Sequence, residues 1–118
     1  MERQGKIRVV LADDHTMFRQ GLKEMLLTGG DIEVVGEAED GRAALEEIRR
    51  HKPDVAILDV EMPEMDAREV MVRLPEASPH TRAVIVTVFA EARLARELVR
   101  LGARAYVTKN ATLQELLA

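Results

Sequence analysis

The sequence contains no cysteine and no tryptophan, and its aromatic residues are one tyrosine and two phenylalanines. Without thiols, disulfide frameworks, thiolate metal sites and cysteine nucleophiles are excluded, so any metal must be held by oxygen or imidazole. There is also no apolar run approaching the roughly 20 residues that span a bilayer. Met1 to Lys6 leads into no apolar signal-peptide core. These absences predict a cytoplasmic protein with no membrane partner. A basic excess is missing as well: 17 Lys and Arg stand against 21 Asp and Glu, a formal net charge of −4. Modules that grip nucleic acid by charge normally show the opposite balance, so this chain is not expected to bind DNA by itself. What remains is 118 residues, 47% hydrophobic and 32% charged, which is the size and balance of one globular domain. A second core would not fit.

Two periodicities alternate along the chain. Short β-branched runs are followed by longer stretches whose apolar positions recur every three or four residues. The runs predict strands over Ile7 to Ala12, Ile32 to Glu37, Val55 to Leu58, Ala83 to Thr87 and Ala103 to Val107. Helices are predicted to begin near Thr16, Asp40, Asp66, Ala90 and Ala111. Their inward stripes are Phe18, Leu22, Met25 and Leu26; Ala44, Leu45 and Ile48; Val70, Met71 and Leu74; Leu94, Leu98 and Leu101; and Leu113, Leu116 and Leu117. Asp66 with Glu69, and Thr112 with Glu115, have the spacing of a capping box. Gly29-Gly30 and Gly102 follow helical runs, where a left-handed residue is wanted. Strict βα alternation predicts an α/β fold, a flavodoxin-like open sheet of five parallel strands in the order 2-1-3-4-5 with helices on both faces. Ligands of such sheets sit beyond the carboxyl ends of the strands.

Those ends carry the polar chemistry. Asp13 and Asp14 follow the first strand, Asp59 the third, Thr87 closes the fourth and Lys109 lies two residues past the fifth. The second strand ends in Gly36 to Gly41 and is given no role, because an edge strand stands away from the crevice. Carboxylates about 4 Å apart repel by roughly 4 kcal/mol at an effective dielectric near 20, so the cluster should hold a proton or a divalent cation. Oxygen ligands favour Mg2+ or Mn2+. Lys109 and the Thr87 hydroxyl then read as partners of a phosphoryl group. Asp59, ionised at neutral pH, could act as nucleophile and become an acyl phosphate.

With these residues in this order, the sequence resembles the receiver domains of two-component response regulators from Ile7 to Leu117. The likeness rests on Val9-Val10-Leu11-Ala12-Asp13-Asp14-His15, on Asp59-Val60-Glu61-Met62-Pro63-Glu64-Met65-Asp66, on Thr87, and on Gly102 to Lys109. The segment from Gly36 to Leu45 is similar to the branch joined to a LuxR/NarL-type helix-turn-helix output domain. The resemblance implies that Asp59 accepts a phosphoryl group from a sensor histidine kinase or a small donor such as acetyl phosphate. It implies that Asp14 and Asp59 bind Mg2+ directly, Asp13 through water, and that the Glu61 backbone carbonyl completes the protein ligands. Thr87 and Lys109 would contact the phosphoryl oxygens, and Thr87 would draw Tyr106 inward as a switch. Beyond self-phosphorylation and auto-dephosphorylation no enzyme activity is expected. On this reading residues 1–118 form the receiver, the fifth helix is short, and an output domain that carries DNA binding and transcription control would follow.

Two positions depart from the family. Ala67 stands where Gly is common, which predicts a less permissive loop. Val88 is bulkier than the small residue often found after the threonine, which predicts restricted access to the phosphoryl group. Other residues have simpler readings. Asp13 and Asp14 could cap the first helix, His15, adjacent to the acid pair, reads as an exposed first-turn histidine rather than a metal ligand or phosphate carrier, and His51 and His80 have no evident partner. Met17, Met25, Met62, Met65 and Met71 read as packing residues. Arg93, Arg96, Arg100 and Arg104 form a basic stripe answered by Glu91 and Glu97, either a solvated face or the contact of a phosphorylation-dependent homodimer.

Two rival functions fit less well. A haloacid-dehalogenase-like phosphatase wants an Asp where Glu61 stands. A flavin-binding module of flavodoxin type wants phosphate donors in a first loop that here offers two carboxylates.

Overall fold

The computed structural model describes residues 6–87 and 91–109. Within them the chain alternates β1 (Ile7–Ala12), α1 (Thr16–Thr28), β2 (Ile32–Ala38), α2 (Gly41–His51), β3 (Val55–Asp59), α3 (Ala67–Ala77), β4 (Arg82–Thr87), α4 (Ala92–Arg100) and β5 (Ala105–Thr108). All strand pairs are parallel and the sheet order is β2-β1-β3-β4-β5. This is the flavodoxin-like arrangement that the βα alternation predicts. The expected fifth helix, with Thr112 and Glu115, lies outside the described residues, as does Val88.

Strand alternation sends side chains to two separate cores. Val9, Leu11, Ile57 and Val86 face α1 and meet Leu22 and Leu26. Val10, Ala12, Ala56, Leu58 and Ile85 face the other way, onto Leu45 and Ile48 of α2, Val70, Met71 and Leu74 of α3 and Leu98 of α4. The middle strands therefore read as unbroken apolar runs, because both of their faces are covered. The helical stripes were legible for the same reason. Met17 is an exception: it is 89% exposed rather than packed.

Local chemistry sets the ends. Asp40 and Asp66 each cap a helix, accepting from the Ala43 N–H at 2.7 Å and the Glu69 N–H at 3.1 Å. Glu69 gives its carboxylate to Arg73, 2.9 Å away, so the predicted box is replaced by one cap and an i,i+4 ion pair. Gly30 and Gly102 have φ of 79° and 115°, the left-handed geometry that glycine tolerates. Strand β5 starts two residues later than the apolar run suggests, because the Ala103 N–H bonds to the Leu98 carbonyl and closes α4.

The pairing of β1 with β2 slips between Val9 and Val10: Val9 faces Val34 but Val10 faces Gly36. One extra residue in β2 thus reverses the alternation beyond it.

Candidate functional site

The carboxyl ends of β1, β3 and β4 converge on a pocket of about 320 Å³ whose lining includes Asp14, His15, Asp59, Glu61, Thr87 and Glu91. Asp13 and Asp59 are almost fully buried, at 2% and 5% exposure, while the Asp14 carboxylate reaches solvent. Sheet register delivers these groups. The Asp13 N–H bonds to the Ala38 carbonyl at 3.0 Å, the Val60 N–H to the Val86 carbonyl at 3.1 Å, and the Lys109 N–H to the Thr87 carbonyl at 2.6 Å. Each loop after a strand is thereby tied to its neighbour before it departs.

Lys109 reaches back over the acids. Its Nζ lies 2.9 Å from Asp13 Oδ2 and 3.5 Å from Asp59 Oδ2, and it sits 4.6 Å from the centre of the Phe18 ring, a cation–π contact. The ammonium does not neutralise the cluster. Burial and the neighbouring Asp13 carboxylate push the Asp59 pKa up to about 6, with Lys109 opposing them and Asp14 adding to them. Asp59 remains mostly ionised at pH 7. Its pairing with Asp13 and Asp14 is the electrostatic signature of a site that wants a cation.

The capping alternative for the acid pair does not hold. The N-cap of α1 is His15, and Asp13 Oδ1 instead accepts the His15 N–H at 2.7 Å. His15 is also nearer the acids than a plain surface histidine would be. Its Nδ1 stands 3.2 Å from Asp13 Oδ1, 3.5 Å from Asp14 Oδ1 and 2.9 Å from Lys109 Nζ. Asp13, Asp14, His15 and Asp59 each offer one atom that could ligate a metal ion, and these atoms all lie within 4.8 Å of one another.

Thr87 is buried at the pocket wall. Tyr106 pairs with Ile85, two rungs down the ladder from Thr87, and packs, half-buried, against the α2/α3/α4 core. Burial pushes its hydroxyl pKa up, against a hydrogen bond with the Glu91 backbone. Ala67 is the first residue of α3 and fully buried, and the positive φ of this loop falls on Glu64 at 71°. No glycine is needed at 67 for a left-handed turn. A glycine is needed at 41, where a Cβ would stand 1.6 Å from the Met65 carbonyl oxygen. His51 and His80 do have partners, Glu47 at 3.3 Å and the Lys52 carbonyl at 3.3 Å.

The sequence matches the response regulator receiver domain over residues 9–118. The chain belongs to this family. It is 39% identical over 112 residues to the transcriptional regulatory protein NarL of Mycobacterium tuberculosis, covering 95% of this chain and 52% of that protein. The solved signal receiver domain of M. tuberculosis NarL superposes with a TM-score of 0.90, covering 95% of this chain and 90% of that one. A DNA-binding response regulator of the LuxR family from Staphylococcus aureus, 30% identical, gives 0.87 over 94% and 92% of the two chains. The chain is thus a receiver domain of LuxR/NarL type, a signalling module and not a classical enzyme, and it spans about half the length of the curated relatives it matches. Among the described residues no helix is long and apolar enough to cross a membrane.

Two residues that the strand-end pattern does not reveal stand directly behind the acids: Arg19 hydrogen-bonds the Asp13 backbone carbonyl and Glu37 holds Arg19 at 3.1 Å. The only cue was an Arg on an otherwise apolar stripe, one residue from Phe18.

Proposed function

We propose that this receiver accepts a phosphoryl group on Asp59 from a sensor histidine kinase, and that the resulting acyl phosphate changes the surface presented to an output domain controlling transcription. The observation that carries this reading is a buried carboxylate, Asp59, grouped with the carboxylates of Asp13 and Asp14 and bridged to Asp13 by the Lys109 ammonium. Mostly ionised at neutral pH, Asp59 supplies the nucleophile directly. One of its oxygens bonds to phosphorus as the bond from phosphorus to the donor breaks, and the donor leaves with that electron pair.

The donor set suits a hard divalent cation. Three carboxylates crowd one pocket rim, and the Lys109 ammonium already bridges Asp13 and Asp59 as a cation would. Asp14, Asp59 and the Glu61 carbonyl would hold Mg2+, with Asp13 acting through water, and Mn2+ would substitute. Bound there, the ion supplies charge neutralisation for the phosphoryl oxygens. Lys109 exchanges a carboxylate for a phosphoryl oxygen. Thr87, buried at the wall, offers its hydroxyl to another, and its displacement frees space into which Tyr106 turns. Self-dephosphorylation restores Asp59. The basic face of α4, with Arg93, Arg96 and Arg100 exposed and Glu97 engaged by Arg68 of α3 at 2.8 Å, is the surface we assign to a phosphorylation-dependent homodimer.

Incubation with Mg2+ and acetyl phosphate tests this reading. One phosphoryl group per chain, absent from Asp59→Asn, is expected. Continuous turnover of phosphomonoesters would instead indicate a phosphatase, and tight flavin binding a cofactor module.

A further inference from the structure

Among the described residues Arg19 is the one buried cationic side chain, 6% exposed on a helix face otherwise lined by Phe18, Leu22 and Leu26. A guanidinium in that position requires partners for its N–H groups. Its Nη1 donates to the Asp13 main-chain carbonyl, its Nε to Glu37 Oε1 at 3.1 Å, and its Nη2 approaches Glu39 Oε2 at 3.6 Å. Glu37 gives its second oxygen to Lys23 Nζ at 2.7 Å. The hydrogen bond from Lys23 leads in holding the Glu37 carboxyl below its usual range, with Arg19 assisting against burial.

The carbonyl that Arg19 grips belongs to the peptide joining Asp13 to Asp14. The preceding peptide is fixed by the Asp13 N–H to Ala38. Both peptide planes around Asp13 are therefore set, one by the sheet and the other by a side chain outside the pocket. Its anchor, Glu37, is available only because of the slip in β2. Val34 faces the α1 core, Val35 faces the α2 core and Gly36 abuts Glu47 and His51 of α2. The extra residue returns Glu37 to the α1 side, where regular alternation would have sent it to the other. Bulges beside active sites re-aim side chains in this way.

We infer that Arg19, anchored by Glu37, is a positioning residue: it fixes the peptide between Asp13 and Asp14, and through their carboxylates it sets the affinity of the acidic site for a divalent cation without touching the ion. This rests on the reading of that site as a cation site. A guanidinium that only stapled α1 to β2 would hold the fold together and leave the cation affinity alone.

Calorimetric titration of the full chain with MgCl2 separates the two roles. The parent is compared with Arg19→Met, Arg19→Lys and Glu37→Gln, and with Arg73→Met, which removes the surface pair to Glu69. Circular dichroism establishes that each variant is folded. Loss of partners that orient metal ligands weakens affinity by roughly 10–100-fold, and Arg19→Met is expected in that range. Glu37→Gln should fall less, and Arg19→Lys between parent and Arg19→Met, because one ammonium donor can still meet the carbonyl. Arg73→Met should match the parent. A folded Arg19→Met that binds Mg2+ like the parent, with only a lower unfolding midpoint, overturns the inference. If Arg19→Met does not fold, an unchanged Glu37→Gln overturns it equally. A parent that binds no Mg2+ overturns the cation-site reading itself.

Discussion

Lys109 Nζ lies closer to Asp13 than to Asp59, at 2.9 Å against 3.5 Å. In this state the lysine is a resident counter-ion of the acid cluster, and it must be drawn from Asp13 to serve a phosphoryl group on Asp59. A divalent cation held by Asp14 and Asp59 would thus compete with the ammonium for the negative charge of Asp59 and Asp13. Lys109→Met is therefore expected to bind Mg2+ more tightly, by about fivefold for ~1 kcal/mol of removed competition, while forming the acetyl-phosphate adduct far more slowly. Titration of the variant with MgCl2 checks the first effect and a mass-spectrometric time course the second. Weaker Mg2+ binding would contradict the competition.

The same crowding sets a pH dependence. Asp59 has a pKa of about 6 in the folded chain and an ordinary one near 3.9 when unfolded. Between these values the folded protein holds a proton that the unfolded chain has released. Stability without metal should accordingly be greatest below about pH 4 with respect to this group, and should fall as pH rises through 6, by about 3 kcal/mol at most. Urea melts at several pH values check this. Asp59→Asn should flatten the slope, and saturating Mg2+ should reverse it by binding the ionised form.

Gly41 couples α2 to the loop after β3. Its N–H bonds to the Pro63 carbonyl at 3.3 Å, and a methyl group would overlap the Met65 carbonyl. Gly41→Ala should cost at least the ~1–3 kcal/mol typical of overpacking and should slow adduct formation at Asp59, because Met65 and Pro63 lie in the loop that carries Glu61. An unchanged urea midpoint would refute the close approach.

Arg96 stands on the exposed basic face of α4. Charge reversal in Arg96→Glu should weaken association of the phosphorylated or beryllofluoride-treated chain in sedimentation velocity, with no effect on adduct formation. Identical sedimentation of parent and variant would remove the dimer assignment from this face.

The legible part of the site was the part written at strand ends. Asp13, Asp14, Asp59, Thr87 and Lys109 each close or follow a short apolar run, and parallel topology brings those strand ends together. The Arg19–Glu37 network was not legible, because its geometry depends on a one-residue slip in β2 that no periodicity announces and that changes which face Glu37 occupies. The position of His15 was missed for a related reason. A histidine before a helix is ordinarily solvated, and only the turn closed by Asp13 Oδ1 swings its ring toward the acids. Glu69 satisfied the spacing of a capping box but met a stronger partner in Arg73 one turn later.

The proposed phosphoryl transfer turns on Asp59, and beryllofluoride titration tests that role most directly. With Mg2+ present, the account predicts a saturable adduct of one equivalent per chain that vanishes in Asp59→Asn and fails to form when Mg2+ is chelated. An adduct of equal stoichiometry in Asp59→Asn, or none in the parent at saturating Mg2+, would contradict it.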